Sequence, residues 1–352
     1  MIRVLATVPD ALDVLVPLCV AWSLVLRVVA RRRAEETSWR RAVVLFSLAA
    51  AATTTCVLTA AAVVIGVLLA RTSWLAHWGR WHPTALPEPG VSSWWAVPVV
   101  LVLLVLLAAT ARHVVLVVAS LWRAELACRD VDTRSTPDGG TWTVLESASP
   151  DAFALPGWRR PVAGGRQRGR VVISSAMLAA LDPDQQRVLV EHERSHLRHR
   201  HPVWIQLAES CAVLNPLLRG VPEVVRAAAE RQADLDAAAC VADQELTART
   251  IATAALARAR MVPRERRPPA HPAPAATGGD VVHRVEYLLR PERHRSTRSA
   301  TLLLVAIVLL ASSTSLVTGY CAIARLDDTR APAGATAASG ATTRPSDAAT
   351  HQ

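Results

Sequence analysis

Asp182-Pro183-Asp184-Gln185-Gln186-Arg187-Val188-Leu189-Val190-Glu191-His192-Glu193-Arg194-Ser195-His196 is the stretch on which the reading of this chain turns. Asp182 offers an N-cap carboxylate, Pro183 suits the first helical position and Gln185 closes a capping-box-like pattern. The spacing predicts a helix from there to about His199. On such a helix H-E-x-x-H places the His192 and His196 imidazoles one turn apart on one face, with Glu193 beside them. Two metal ligands and a base are thus supplied locally. A catalytic zinc site takes a third protein ligand and keeps one position open for water, so a further imidazole or carboxylate must come from elsewhere. The metzincin solution, a histidine six residues after the second, is excluded because position 202 is proline.

Downstream, Val203 to Leu214 reads as a helix broken by Asn215-Pro216, and Glu223 to Ala242 as an alanine-rich helix. The latter carries Glu230-Arg231-Gln232-Ala233-Asp234. Glu230 is the candidate third ligand, a glutamate-zincin arrangement, and Asp234 lies one turn further on the same face. There it can accept the free ring N–H of a ligand histidine and fix its tautomer. Upstream, Thr141 to Glu146, Ala152 to Leu155 and Arg170 to Ile173 are short, partly alternating apolar runs, read as a small sheet. Substrate is expected to lie as an added strand against an edge at Val171, Val172, Ile173 and Ser174. A proline- and glycine-rich loop over 262–279 precedes a short amphipathic helix at Val281 to Leu289.

The rest of the chain is built for a bilayer. Residues 42–70 and 299–324 hold no charge, and each exceeds the roughly 20 apolar residues that cross a hydrocarbon core. A third run starts at Trp94 and continues past Arg112, and a fourth, between Val14 and Ala30, is interrupted only by Arg27 and lacks the flanks of a signal peptide. The fold class expected is therefore an α+β membrane protein with four transmembrane helices in a three-plus-one arrangement. Its parts are a membrane region at 1–122 (spans about 11–30, 42–70 and 94–118), a metallopeptidase domain at 123–298, a fourth span at 299–324 and a disordered tail at 325–352. The apolar stretch Val203 to Leu218 is read as a packed or interfacial helix, because a lone crossing there would put Glu230 across the bilayer from His192.

The formal net charge is +10, and the chain has no lysine. Arg31, Arg32, Arg33, Arg40 and Arg41 lie between the first two spans, and Arg293, Arg295 and Arg298 precede the last. That placement indicates cytoplasmic flanks, not a nucleic-acid surface. The N-terminus and the tail are then external, and the peptidase domain is cytoplasmic. The six cysteines are scattered singly, without a C-x-x-C pair, and support neither a disulfide framework nor a cysteine metal site. Trp74, Trp78, Trp81, Trp94 and Trp95, with His77 and His82, read as an aromatic belt at the outer interface. His199 and His201 read as the solvent-facing or hydrogen-bonded end of the motif helix, and Arg159 to Arg170 as a solvated or headgroup-facing loop.

These features together resemble the BlaR/MecR-type family of bacterial membrane metallopeptidases, the antirepressor peptidases. The resemblance rests on Ala152-Phe153-Ala154-Leu155-Pro156-Gly157, Val171-Val172-Ile173-Ser174, His192 to His196 with Arg198 to His201, Asn215-Pro216, Glu230 to Asp234, and Arg284-Val285-Glu286-Tyr287-Leu288-Leu289. It covers most of residues 10–324. It implies Zn2+ held by His192, His196 and Glu230, with Glu193 as catalytic base. The implied substrate is a winged-helix transcriptional repressor of BlaI/MecI type, in a regulatory proteolysis circuit at the plasma membrane. The chain departs from full-length β-lactam sensors, which add an external penicillin-binding domain; without lysine an S-x-x-K acylation site is impossible here. Two other readings remain: an HtpX-like membrane-protein quality-control protease, and a non-catalytic membrane receptor with structural zinc, for which Glu193 would have no use.

Overall fold

The computed structural model describes residues 11–33, 36–70, 96–128, 133–135, 141–157, 169–260, 278–290 and 298–328. The order of elements is α1 (Ala11–Arg33), α2 (Trp39–Ala70), α3 (Ala96–Ala127), β1 (Thr133–Ser135), β2 (Thr141–Leu145), β3 (Ala152–Leu155), β4 (Arg170–Ser174), α4 (Ser175–Ala180), α5 (Pro183–Arg198), α6 (His201–Leu214), a 3-10 turn (Pro216–Leu218), α7 (Val221–Val241), α8 (Gln244–Arg260), α9 (Gly278–Leu289) and α10 (Arg298–Asp328). The tryptophan-rich loop, most of the Arg159 to Arg170 loop, the 262–277 segment, Arg293, Arg295 and the tail from 329 lie outside the described residues.

Among those residues four helices, α1, α2, α3 and α10, are long and apolar enough to cross a membrane. α1, α2 and α10 pack together through small side chains such as Ala42, Ala49 and Ala50, which let the backbones approach closely. Polar cross-links add to the packing: Trp22 Nε1 donates to Thr314 Oγ1 at 3.2 Å, and Thr59 and Ser315 share a hydroxyl bond of 2.8 Å. α3 touches α2 and α6 but packs less closely than the other three, leaving Val97, Leu101, Val102, Leu104 and Val105 exposed, a surface suited to lipid. It runs beyond the expected end at 118 to Ala127, so the span passes into the polar region without a break.

The hydrophobic core does not divide at residue 123. Leu26, Val43, Phe46, Leu304 and Ile307 of the bundle share one cluster with Ile205, Cys211, Leu218, Val221 and Val225 of the polar region. α6 lies along α2, where Ser47 Oγ donates to the Trp204 carbonyl at 3.1 Å. At its far end Asn215 Nδ2 donates to Ser23 Oγ at 2.9 Å. With 14 residues α6 is about 21 Å long, short of the roughly 30 Å hydrocarbon thickness, and it is not among the four candidate spans.

The sheet has the order β1-β2-β4-β3, with β2 and β4 parallel and β3 and β4 antiparallel. The free edge expected at Val171 to Ser174 is therefore not there. β4 is paired on both sides, its residues from Val171 to Ser174 are buried, and Ser174 Oγ is occupied by the backbone N–H groups of Asp151 and Met177. The edge beside α5 is β3 instead. Gly169, just before β4, sits where the sheet closes on α5: a Cβ there would lie 3.0 Å from Leu197 Cδ2 and 3.2 Å from the Leu155 carbonyl oxygen.

α5 begins as its sequence predicts. Asp182 accepts from the Gln185 N–H, the Gln185 side chain accepts from the Asp182 N–H, and Pro183 occupies the first position. Arg200, at a left-handed φ of 54°, turns the chain so that His201 folds back over the end of α5. α4, α8 and β1 are elements that the sequence pattern did not suggest.

Candidate metal centre

His192 and His196 project from one face of α5, both at most 9 % exposed, with their Nε2 atoms 3.3 Å apart. Glu230 reaches the pair from α7: Oε2 is 3.5 Å from His192 Nε2 and Oε1 is 3.6 Å from His196 Nε2. Ligands about 2.0–2.1 Å from a tetrahedral ion stand roughly 3.3 Å from one another, so these separations fit a zinc-sized centre. The three form a group able to hold a metal ion, each residue offering one ligand atom. Glu193, the next residue after His192, is buried beside them at 7 % exposure.

The opposite ring nitrogens are also engaged. His192 Nδ1 lies 3.0 Å from Asp234 Oδ1, so the carboxylate accepts the ring N–H and leaves Nε2 free to face the centre. His196 Nδ1 lies 3.1 Å from Nδ1 of His201, a residue that is 1 % exposed. For His196 Nε2 to carry a lone pair, its Nδ1–H must donate to His201, whose own proton then sits on Nε2. Of the two readings the sequence left open for His201, solvent-facing or hydrogen-bonded, the structure shows the second, as a buried partner of the site. His199, also largely buried, contacts Asp236 Oδ2 at 2.9 Å, and Ser195 Oγ donates to the same oxygen at 2.6 Å. Gln232 donates to Asp236 Oδ1 at 2.7 Å. Asp236 thus staples α5 to α7 directly behind the three converging side chains.

Arg284 of α9 closes the arrangement. Its Nε and Nη2 donate to the two oxygens of Asp234 at 2.7 and 2.6 Å, and its Nη1 lies 2.9 Å from Glu230 Oε2. Electrostatics follow from this packing. Burial opposes the charged forms of Glu230 and Asp234, but the Arg284 guanidinium and the imidazoles outweigh it, holding the Glu230 pKa well below the carboxylate range and lowering that of Asp234. Burial likewise opposes the His192 imidazolium, yet hydrogen bonds to Asp234 and Glu230 carry its pKa up to about 10. Burial, reinforced by the neighbouring imidazoles, pushes His201 down to about 3, so it is neutral. With both carboxylates held ionised, the centre favours positive charge beside them, a proton on His192 or a metal ion in its place.

The structure brings together His192, His196, Glu230, Glu193 and Asp234. It does not bring Val171 to Ser174 to them as a free strand. Arg284 and Asp236 had no assigned role in the sequence reading, and His201 only that of a helix end, although Arg284 opens the helix motif quoted above and His201 follows the metal motif closely.

No curated protein and no solved structure matches the chain. Residues 122–221 match Peptidase family M48, a stretch that contains His192, Glu193 and His196 and ends before Glu230. The match supports a metalloprotease of that typically zinc-dependent family, in a chain with four candidate membrane helices.

Proposed function

We propose that this protein is a membrane-embedded zinc endopeptidase of BlaR/MecR type, cleaving a cytoplasmic winged-helix repressor in a regulatory circuit. The observation that carries the peptidase reading is the convergence of His192, His196 and Glu230 at ligand spacing beside Glu193, across two helices of which the family match covers only the first. His192, His196 and Glu230 would hold the zinc, which would supply Lewis acidity to the scissile carbonyl and to the attacking water. Glu193 takes the water's proton and delivers it to the departing amine nitrogen. Asp234 and His201 keep the two imidazoles in the tautomers that face the centre. The substrate backbone adds to the β3 edge at Ala152 to Leu155, which among the described strands pairs only with β4 and lies next to α5.

The cytoplasmic assignment draws on the positive-inside rule. Trp39, beside Arg31, Arg32, Arg40 and Arg41 at one end of the bundle, contacts Arg231 and Tyr287 of the site's helices. The second reading, an HtpX-like quality-control protease, draws on the same family match. Against it, α6 is too short to form a hydrophobic hairpin after the motif. The test is proteolysis by the purified full chain in lipid nanodiscs, with a winged-helix repressor and an unfolded membrane protein as rival substrates. Wild type should cut the repressor, Glu193→Gln should retain zinc and lose at least about 10²-fold in rate, and cleavage of the unfolded protein alone would favour the second reading.

A further inference from the structure

Arg284 holds both carboxylates of the centre, and its helix is itself held from the membrane bundle. On α9, Tyr287 is three residues on from Arg284, on the same face. Tyr287 Oη accepts from Trp39 Nε1 at 3.2 Å, with the two rings edge-to-face at 5.9 Å and 84°. Trp39 is the first residue of α2 and is 5 % exposed. A second contact runs to the same place, since the Arg231 guanidinium, adjacent in sequence to Glu230, lies 4.6 Å from the Trp39 ring centroid.

We propose that Arg284 is a positioning residue for Glu230 and Asp234, and that Trp39 sets it through Tyr287, so that the metal centre reads the position of membrane helix α2. Arg284 engages one Glu230 oxygen and leaves the other facing His196, while it fixes the Asp234 carboxylate that orients His192. A shift of α2 by an ångström or two, the scale of helix movements in switching proteins, breaks the 3.2 Å bond and lets the Arg284–Tyr287 turn of α9 move, while Leu288 and Val285 keep the helix packed on α7 and α8. The ligand carboxylate then loses its second anchor. This inference rests on the zinc reading above.

The test is zinc affinity of the full chain in nanodiscs, measured by competition with a chromophoric chelator, alongside kcat and KM. Arg284→Gln should weaken zinc about 10–100-fold, with part of the loss recovered in Arg284→Lys. Tyr287→Phe and Trp39→Phe should each weaken it about two- to tenfold, with kcat falling and KM unchanged. Trp22→Phe removes an indole hydrogen bond of the same length within the bundle and should leave affinity at the wild-type value. Thermal unfolding of the metal-free variants confirms that each is folded. Affinity unchanged or raised in Arg284→Gln would overturn the positioning role, the latter by making Arg284 a competitor of the metal. Tyr287→Phe and Trp39→Phe indistinguishable from Trp22→Phe would overturn the link to α2. A wild-type chain that binds no zinc would instead overturn the metal reading, and this inference with it.

Discussion

Asp236 offers a measure of how tightly the two ligand-bearing helices are stapled. Its carboxylate accepts from Ser195 Oγ at 2.6 Å and Gln232 Nε2 at 2.7 Å, and contacts His199 Nε2 at 2.9 Å, with 19 % of the side chain exposed. Burial opposes its charge, but these three partners outweigh burial and lower its pKa. Hydrogen bonds to a charged group contribute about 1.5–3 kcal/mol each when lost, and an amide keeps part of the network, so Asp236→Asn should cost about 2 kcal/mol at pH 7. With an unfolding entropy of about 2.1 cal/mol/K per residue, that corresponds to a fall of about 3 °C in Tm for a chain of 352 residues. Because the folded pKa is depressed, the contribution is fully present above the unfolded value of about 3.9 and disappears as pH falls through the folded pKa. Thermal unfolding of wild type and variant should therefore show one gap from pH 7 to 5 and a narrowing gap below about pH 4. A double-mutant cycle with Ser195→Ala should return a coupling of about 0.5–3 kcal/mol. Equal Tm values at pH 7, or a gap that persists undiminished at the lowest pH, would refute the staple.

Further outcomes follow from other elements. Gly169→Ala should destabilise by about 1–3 kcal/mol in denaturant titrations, because the new methyl meets the Leu155 carbonyl oxygen, which cannot move aside as a side chain could. Asp182→Ala removes the capping box of α5 and should cost about 1 kcal/mol in the same assay without changing which metal binds. Stripping the metal with a chelator should lower Tm, and zinc restored at 100 times its Kd should return about 2.7 kcal/mol; a Tm indifferent to zinc would contradict a folded-state site.

The parts legible in the sequence were those whose determinants are local. The start of α5 needs only Asp182, Pro183 and Gln185, and the two imidazoles need only a spacing of four on that helix. Glu230 could be singled out because Asp234 follows one turn later. The edge strand could not be found this way, because strand order depends on where β4 inserts, between β2 and β3. One signal was present: Val171-Val172-Ile173 is a continuous apolar run, the pattern of a strand buried on both faces. His201 and Arg284 escaped for a related reason. His201 reaches His196 only because Arg200 takes a left-handed conformation, and Arg284 reaches Glu230 across a separation in sequence that no periodicity reports. α8, rich in alanine, threonine and arginine, has too weak an apolar stripe to announce itself.

The shared core makes a further prediction about the segment 123–298 taken alone. Ile205, Leu218, Val221 and Val225 are at most 8 % exposed in a cluster completed by Val43 and Phe46 of α2 and by Leu304 and Ile307 of α10. Each such side chain contributes about 1.5–3 kcal/mol when fully buried. Losing the membrane partners of all four therefore removes up to about 6–12 kcal/mol, comparable with the whole stability of a typical domain, about 5–15 kcal/mol. Trp39, which contacts Tyr287 and Arg231 beside the metal ligands, is lost with α2. The excised segment should accordingly aggregate or unfold without cooperativity and hold zinc far more weakly than the full chain in nanodiscs. A soluble, cooperatively unfolding 123–298 fragment with the full chain's zinc affinity would show that the membrane helices only anchor the peptidase. The bundle would then be no part of the core on which the ligand geometry stands.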